Sequence, residues 1–337
     1  RKKGRKPAKC KETLNRGVGT SWEINALFIA LARAAGFEAY LAMMADRDDI
    51  FFDTEIPESY FLDASHVAVL EGEKWRFYDP GNPHIPYGML AWEEEGGQAL
   101  ICHPKRPAFV PTPLSPAEGS LAKNWAELRI DENGTLEGDV RVELSGHRAI
   151  RYRRAFESES QAEVERQLLE RLQARLGDVE IDELRFDDFA NPENPFAYSY
   201  HIRFKDYAQA TGKRLFLQPA FFRRGLDPVF PNTGRSHQIY FNFEWSEQDN
   251  VTIGLPVGFE LDNASSPAGF EVGIASYKPV ISVSGDGQKL FYSRSFSFRG
   301  MLFDTGQYPA LKALFDEIHK ADNHTIILKR TEEQTSF

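Results

Sequence analysis

From Ile24 to Ala35 the chain carries almost no polar side chain. Ile24, Ala26, Leu27, Phe28, Ile29, Ala30, Leu31, Ala32, Ala34 and Ala35 are interrupted only by Asn25 and Arg33. This run predicts a helix, and a helix apolar on nearly all sides is expected to be buried within its domain. Thr20 and Glu23 mark its start with the T-x-x-E spacing of a capping box, and Gly36 supplies its stop. Upstream, residues 7–15 predict a short helix, with Pro7 near its first turn and Gly17 after its end. Phe37 to Met44 reads as a strand, and the polar stretch from Asp46 to Asp63 as an exposed loop.

Two further strands meet at Glu71-Gly72-Glu73-Lys74. Gly72-Glu73 suits a two-residue turn with glycine first. That turn sets Leu70 opposite Trp75, Ala68 opposite Phe77 and His66 opposite Asp79. Directly opposed residues share a face, with Cβ atoms about 4.5–5.5 Å apart. A His66–Asp79 contact is therefore expected from the turn alone.

Prolines at 104, 107, 111, 113 and 116 mark a boundary. They predict a module over residues 1–104, a linker over 105–117 and a β-rich region over 118–337, with a split near 225 left open. In that region Trp125–Ile130 and Gly138–Leu144 predict a hairpin around Glu132-Asn133-Gly134. Ser160 and Glu163 cap a helix carrying Val164, Leu168, Leu169, Leu172 and Leu176, stopped by Gly177. Strands are expected at Tyr198–Phe204, Arg214–Phe222, Gln238–Trp245, Val251–Leu255, Pro279–Val283 and Leu290–Phe298. Ile239, Phe241, Phe243 and Trp245 alternate as a half-buried strand should. A last helix carries Leu311, Leu314, Phe315 and Ile318, and Thr325–Lys329 returns as a strand. The fold class is α+β, with a sandwich-like C-terminal region holding two packed helices.

Composition narrows the classes of function. The 337 residues are 42% hydrophobic and 27% charged, ordinary for a globular chain. Twenty-six Phe, twelve Tyr and five Trp favour β-rich cores. A net charge of -10 disfavours nucleic-acid binding. The basic run Arg1, Lys2, Lys3, Arg5, Lys6, Lys9 and Lys11 reads as a solvated linker. No apolar run is long enough to span a membrane. The start at Arg1, without an initiator Met or a signal peptide, suggests a fragment of a longer precursor. Cys10 and Cys102, the only cysteines, exclude a disulfide framework or a cysteine-rich zinc site. His147, His201, His237, His319 and His324 show no ligand spacing, so neither metal nor cofactor is expected.

Ser21 falls at the first position of the apolar helix. A nucleophile at a helix start, a histidine on one strand and an aspartate on the next is the layout of a thiol acyl-transfer site. Such chemistry needs a thiolate, a His to manage its proton and a third group to orient the His. Helix N–H groups lower a thiol pKa and hold an oxyanion. Every part is present here except the sulfur. Gly19-Thr20-Ser21, Leu31-Ala32-Arg33-Ala34-Ala35-Gly36, Ser65-His66-Val67 and Trp75-Arg76-Phe77-Tyr78-Asp79-Pro80 together resemble the transglutaminase-like superfamily, part of the papain-like group. Its pattern is Gly-x-Cys-x-Asp on a helix, His on a strand and Asp-Pro on the next. Ser21 falls on the nucleophile, His66 on the base and Asp79 on its orienting acid.

Ile85-Pro86-Tyr87-Gly88-Met89-Leu90 and Thr20-Ser21-Trp22-Glu23-Ile24-Asn25 resemble a bacterial subgroup in which Ser often replaces the Cys and β-rich modules flank the domain. The likeness covers roughly residues 10–103. It implies a papain-like module truncated at its N-terminus and a periplasmic or cell-surface protein. It also implies a vestigial triad, Ser21, His66 and Asp79, in a non-catalytic scaffold. An extended peptide or protein segment is the expected partner, lying across the cleft near Ser21, Trp22, His66 and Trp75. The alternative is acyl transfer or amide hydrolysis with Ser21 as nucleophile, His66 as base and Asp79 as orienter. Ser21 hydrogen-bonded to His66 in an open groove would favour that alternative.

Overall fold

The computed structural model describes residues 9–56, 58–187, 190–263 and 265–331. Pro7 and the basic residues Arg1, Lys2, Lys3, Arg5 and Lys6 lie outside them. The chain divides into two compact units, one running to Ser115 with Ala190–Asn194, the other comprising Pro116–Phe189 and Pro195 onward. The architecture is α+β and mostly strand.

Unit 1 contains α1 (Cys10–Arg16), α2 (Ser21–Ala34), β1 (Glu38–Met44), β2 (Ala64–Glu71), β3 (Lys74–Tyr78), β4 (Gln98–Ile101) and β5 (Ala108–Pro111). The strands form one sheet in the order β3-β2-β1-β4-β5. The capping box at α2 forms as the spacing requires, with Thr20 Oγ accepting from Glu23 N and Glu23 Oε2 from Thr20 N. Gly72 adopts φ 63, the turn closes, and Leu70 pairs with Trp75 and Ala68 with Phe77.

One expectation fails. Helix α2 is not enclosed: only Glu23 and Asn25 are buried, while Trp22 and Leu31 are 45% and 52% exposed. The helix lies on one face of the sheet, where Phe28, Ile29 and Ala32 pack on Val67, Val69 and Tyr78. An all-apolar sequence does not by itself supply a second covering layer. The proline-rich stretch is not all linker either, since β5 pairs with β4 inside it.

Unit 2 begins with β6 (Leu121–Ile130), β7 (Leu136–Leu144), α3 (Gly146–Phe156), α4 (Gln161–Leu176), β8 (Glu180–Phe186) and β9 (Phe196–Phe204). It continues with β10 (Gln209–Thr211), β11 (Arg214–Leu217), β12 (Ile239–Tyr240), β13 (Trp245–Gly254), β14 (Phe259–Asn263) and β15 (Phe270–Val272). It ends with β16 (Ala275–Val283), β17 (Lys289–Phe298), β18 (Leu302–Phe303), α5 (Tyr308–Asp322) and β19 (Ile326–Arg330). An eight-stranded sheet runs β15-β16-β17-β13-β6-β7-β9-β8, and a four-stranded sheet runs β10-β11-β19-β14. Strands on both sides of residue 225 share the large sheet, joined by the parallel pairing of β6 with β13, so no split falls there.

Among the described residues three helices pack in this unit, not two. The apolar stripe of α3, Ala149, Ile150 and Phe156, is obscured in the sequence by Arg148, Arg151, Arg153 and Arg154. The strand expected over Gln238–Trp245 is also interrupted. Ile239 and Tyr240 pair with β18 and the Phe241 amide still donates to the Met301 carbonyl at 2.7 Å, whereas Phe243 lies outside any strand. Their rings settle in aromatic contacts, Phe241 on Phe298 and Phe243 on His147.

On β17, Leu290 and Tyr292 join the core shared with α4 and the small sheet, while Phe296 and Phe298 join a second core under α5. Arg294 stands between them. Its guanidinium meets Asp322 and Glu247 at 2.8 Å and Asp249 at 3.5 Å. Arg223 reaches the same Glu247 and Asp249 at 3.0 and 3.3 Å, and Asn124 donates to Asp249 at 2.6 Å. Burial opposes ionisation of Glu247, but the three arginines 223, 294 and 148 hold its carboxyl well below the usual range. Burial pushes the Asp322 carboxyl up, and Arg294 and Arg223 offset part of that rise.

Arg294→Met should leave the buried Asp322 carboxylate without a cationic partner and remove one of the cations on Glu247 and Asp249, which keep Arg223. A loss of about 3–5 kcal/mol is expected, the cost of breaking a buried pair from one side. Urea unfolding followed by tryptophan fluorescence measures it, and an unchanged midpoint would contradict the reading.

Candidate functional site

The site is assembled around the first turns of α2. Ser21 is the first helical residue and is exposed. One turn later Asn25 is fully buried. Its Nδ2 donates to the Ser65 carbonyl at 2.8 Å, and its Oδ1 accepts from the Gly81 amide at 2.9 Å. A buried amide needs such partners, because leaving it unpaired costs several kcal/mol. The two bonds tie the helix start to the residue before His66 and to the turn just after Asp79. Gly81 is pressed against Ser21 so closely that a Cβ there would lie 2.6 Å from the Ser21 carbonyl oxygen. Only glycine fits that approach.

His66 and Asp79 come together as the hairpin register dictates. His66 Nδ1 lies 3.4 Å from Asp79 Oδ1, with both side chains buried. A second carboxylate was not read from the sequence: Glu94 Oε1 lies 3.6 Å from His66 Nε2. Both separations are ion-pair distances, slightly long for hydrogen bonds. Among the described residues neither imidazole nitrogen makes a hydrogen bond, to Ser21 or to any other group. Burial alone would lower the His66 pKa, but Asp79 and Glu94 together raise it from 6.5 to about 9. Two carboxylates so placed favour the imidazolium, whose two N–H groups would face them. In that state it has no lone pair with which to accept a hydroxyl proton.

Trp75 is half-buried, with its ring edge-on to Tyr40 at 6.0 Å. It lines a cavity of about 810 Å³ together with Tyr78, Tyr87, Pro111 and Pro113. Ser21, Trp22 and His66 are not among the walls of that cavity. His66 is buried within the sheet, whereas Ser21 and Trp22 are exposed on α2.

Cys10 Sγ contacts the Ala26 carbonyl at 3.6 Å. Burial pushes the Cys102 thiol up, away from reactivity. Among the described residues no group of three His, Cys, Asp or Glu side chains is placed to hold a metal ion, and no helix is long and apolar enough to cross a membrane.

Residues 213–328 of unit 2 match a family described as a domain of unknown function with a solved structure, DUF3858. A crystal structure of a "putative protease" from Parabacteroides distasonis is similar over 95% of this chain, with 12% identity and a TM-score of 0.48. The chain spans 46% of that structure's length. No curated protein matches the chain.

The His66 environment predicts a pH dependence. Its folded pKa lies above the unfolded value, so the stabilisation is complete below about pH 6.5 and is lost as pH rises through 9. Stability should fall by about 3 kcal/mol between pH 6 and pH 10, and His66→Gln should flatten that slope. Chemical denaturation at several pH values reads both.

Proposed function

We propose that unit 1 is a transglutaminase-like module of papain-like ancestry that no longer performs acyl chemistry. It serves as a non-catalytic binding module for an extended polypeptide, within an exported bacterial protein. One observation carries this reading: the His66 ring lies between Asp79 and Glu94, two carboxylates that favour its protonated form, and among the described residues it makes no hydrogen bond to Ser21. A serine hydroxyl depends wholly on a neutral general base. Here the base has a carboxylate on each side. The helix dipole, worth at most about 2 kcal/mol, does not make up for that loss.

The rest of the ancestral frame is consistent with this reading. The helix start, the His strand and the Asp-Pro turn remain tied together through Asn25. Retained geometry with a disabled proton relay fits a scaffold that kept its fold for another purpose.

The wild-type protein is expected to show no turnover of glutaminyl peptides, amine acceptors or activated esters near pH 7. Ser21→Cys should yield an exposed thiol with a pKa below the ordinary value of about 8.5, without turnover. Wild-type hydrolysis abolished by both Ser21→Ala and His66→Gln would reverse the assignment in favour of the serine enzyme.

A further inference from the structure

The two edges of the unit 1 sheet are finished differently. Strand β3 is one edge and β5 the other. The two-residue turn makes Glu71–Lys74 a hydrogen-bonded pair, so Val69–Arg76 and Val67–Tyr78 are hydrogen-bonded pairs as well. The intervening residues, Trp75 and Phe77, therefore point their N–H and C=O groups away from β2. Among the described residues nothing pairs with these main-chain groups.

The 810 Å³ cavity opens along this edge. Its walls include every residue from Lys74 to Tyr78, and across from them Pro111, Thr112 and Pro113, where β5 ends. The sheet thus curls until both edges face one space. Pro111, at the end of β5, has no N–H and so removes an outward donor from that edge. The β3 side has no such block. Tyr87, 75% exposed and 5.2 Å from Tyr78 between ring centroids, completes an aromatic flank. Arg76 is neutralised by Glu71 at 2.7 Å. Lys74, exposed at the hairpin tip, has no carboxylate partner among the described residues.

We infer that this edge receives an extended polypeptide segment, which adds to β3 as a sixth strand, pairs with Trp75 and Phe77 and sets an acidic side chain over Lys74. Main-chain bonds at a sheet edge supply affinity, and the neighbouring pockets supply selectivity. The volume suits a short segment, near the top of the range of about 300–1,000 Å³ typical of ligand sites. This deepens the non-catalytic binding role proposed above and rests on it. It places the polypeptide at Trp75 rather than across Ser21.

The test uses the full chain and a fluorescein-labelled heptapeptide, Thr-Val-Thr-Glu-Thr-Val-Thr, read by anisotropy. Two further peptides are N-methylated on alternate amides, odd in one and even in the other. The parent peptide should bind. One methylated form should bind roughly ten-fold or more weakly, as losing one or two main-chain hydrogen bonds requires, while the other matches the parent. Trp75→Pro, which deletes an outward donor, should bind roughly ten-fold more weakly than Trp75→Ala. Lys74→Glu should weaken binding and remove its salt dependence. If Trp75→Pro does not fold, the methylated pair decides. Equal binding of both methylated peptides, or no binding of the parent at millimolar concentration, overturns the proposal. Self-association of the protein that Trp75→Pro abolishes would assign the edge to a second copy instead, and also overturn it. Mass spectrometry of the same peptide separates the two readings: cleavage abolished by Ser21→Ala removes the non-catalytic role, whereas an intact but unbound peptide removes only the edge pairing.

Discussion

A single buried amide, that of Asn25, joins three segments that are distant in sequence. It sits in the helix, accepts from the turn after Asp79 and donates to the residue before His66. It gives the start of α2 directional bonds to the hairpin, where Phe28, Ile29 and Ala32 meet Val67, Val69 and Tyr78 only through apolar packing. The packing of Gly81 on Ser21 follows from the same bond, since pulling the Gly81 amide onto Asn25 brings its Cα against the helix backbone. The relative placement of Ser21, His66 and Asp79 is thus set by one polar residue inside an otherwise apolar run.

Unit 2 uses polar groups in the opposite sense. Its belt of Asn124, Asp249, Arg294, Glu247 and Asp322 separates two apolar cores on one sheet face. A continuous apolar face would have let α5 slide along the sheet toward α4. With Asp322 bonded to both Arg294 and Tyr277, the end of α5 has one position in which its carboxylate is satisfied. Buried charge of this kind specifies arrangement more than it adds stability.

Local signals were legible and distant ones were not. The capping box of α2, the hairpin register and the helix stopped by Gly177 all depend on residues within a few positions of one another. The contact between His66 and Asp79 was readable because the turn transmits register directly. Glu94 was not, since it arrives from a loop 28 residues beyond His66 with no periodic pattern to place it. The exposure of α2 was missed for a related reason: hydrophobicity shows what a helix could bury, not what covers it. Asn25 offered a usable signal, as a lone amide in an apolar run must find partners if it is buried. The alternation from Ile239 to Trp245 misled because aromatic side chains can satisfy themselves ring against ring, with no need of a ladder.

The parallel pairing of β6 with β13 has a consequence in time. These strands lie at the centre of the eight-stranded sheet, yet Ala126 and its partner Val251 are separated by more than a hundred residues. Closing so long a loop must precede the contacts that reward it, which slows folding relative to locally wired domains. During synthesis β6 and β7 can pair at once, but one side of β6 stays open until β13 has left the ribosome. The newborn chain therefore carries an unfinished inner edge through much of its elongation, and its yield depends on how well that edge is shielded from other chains.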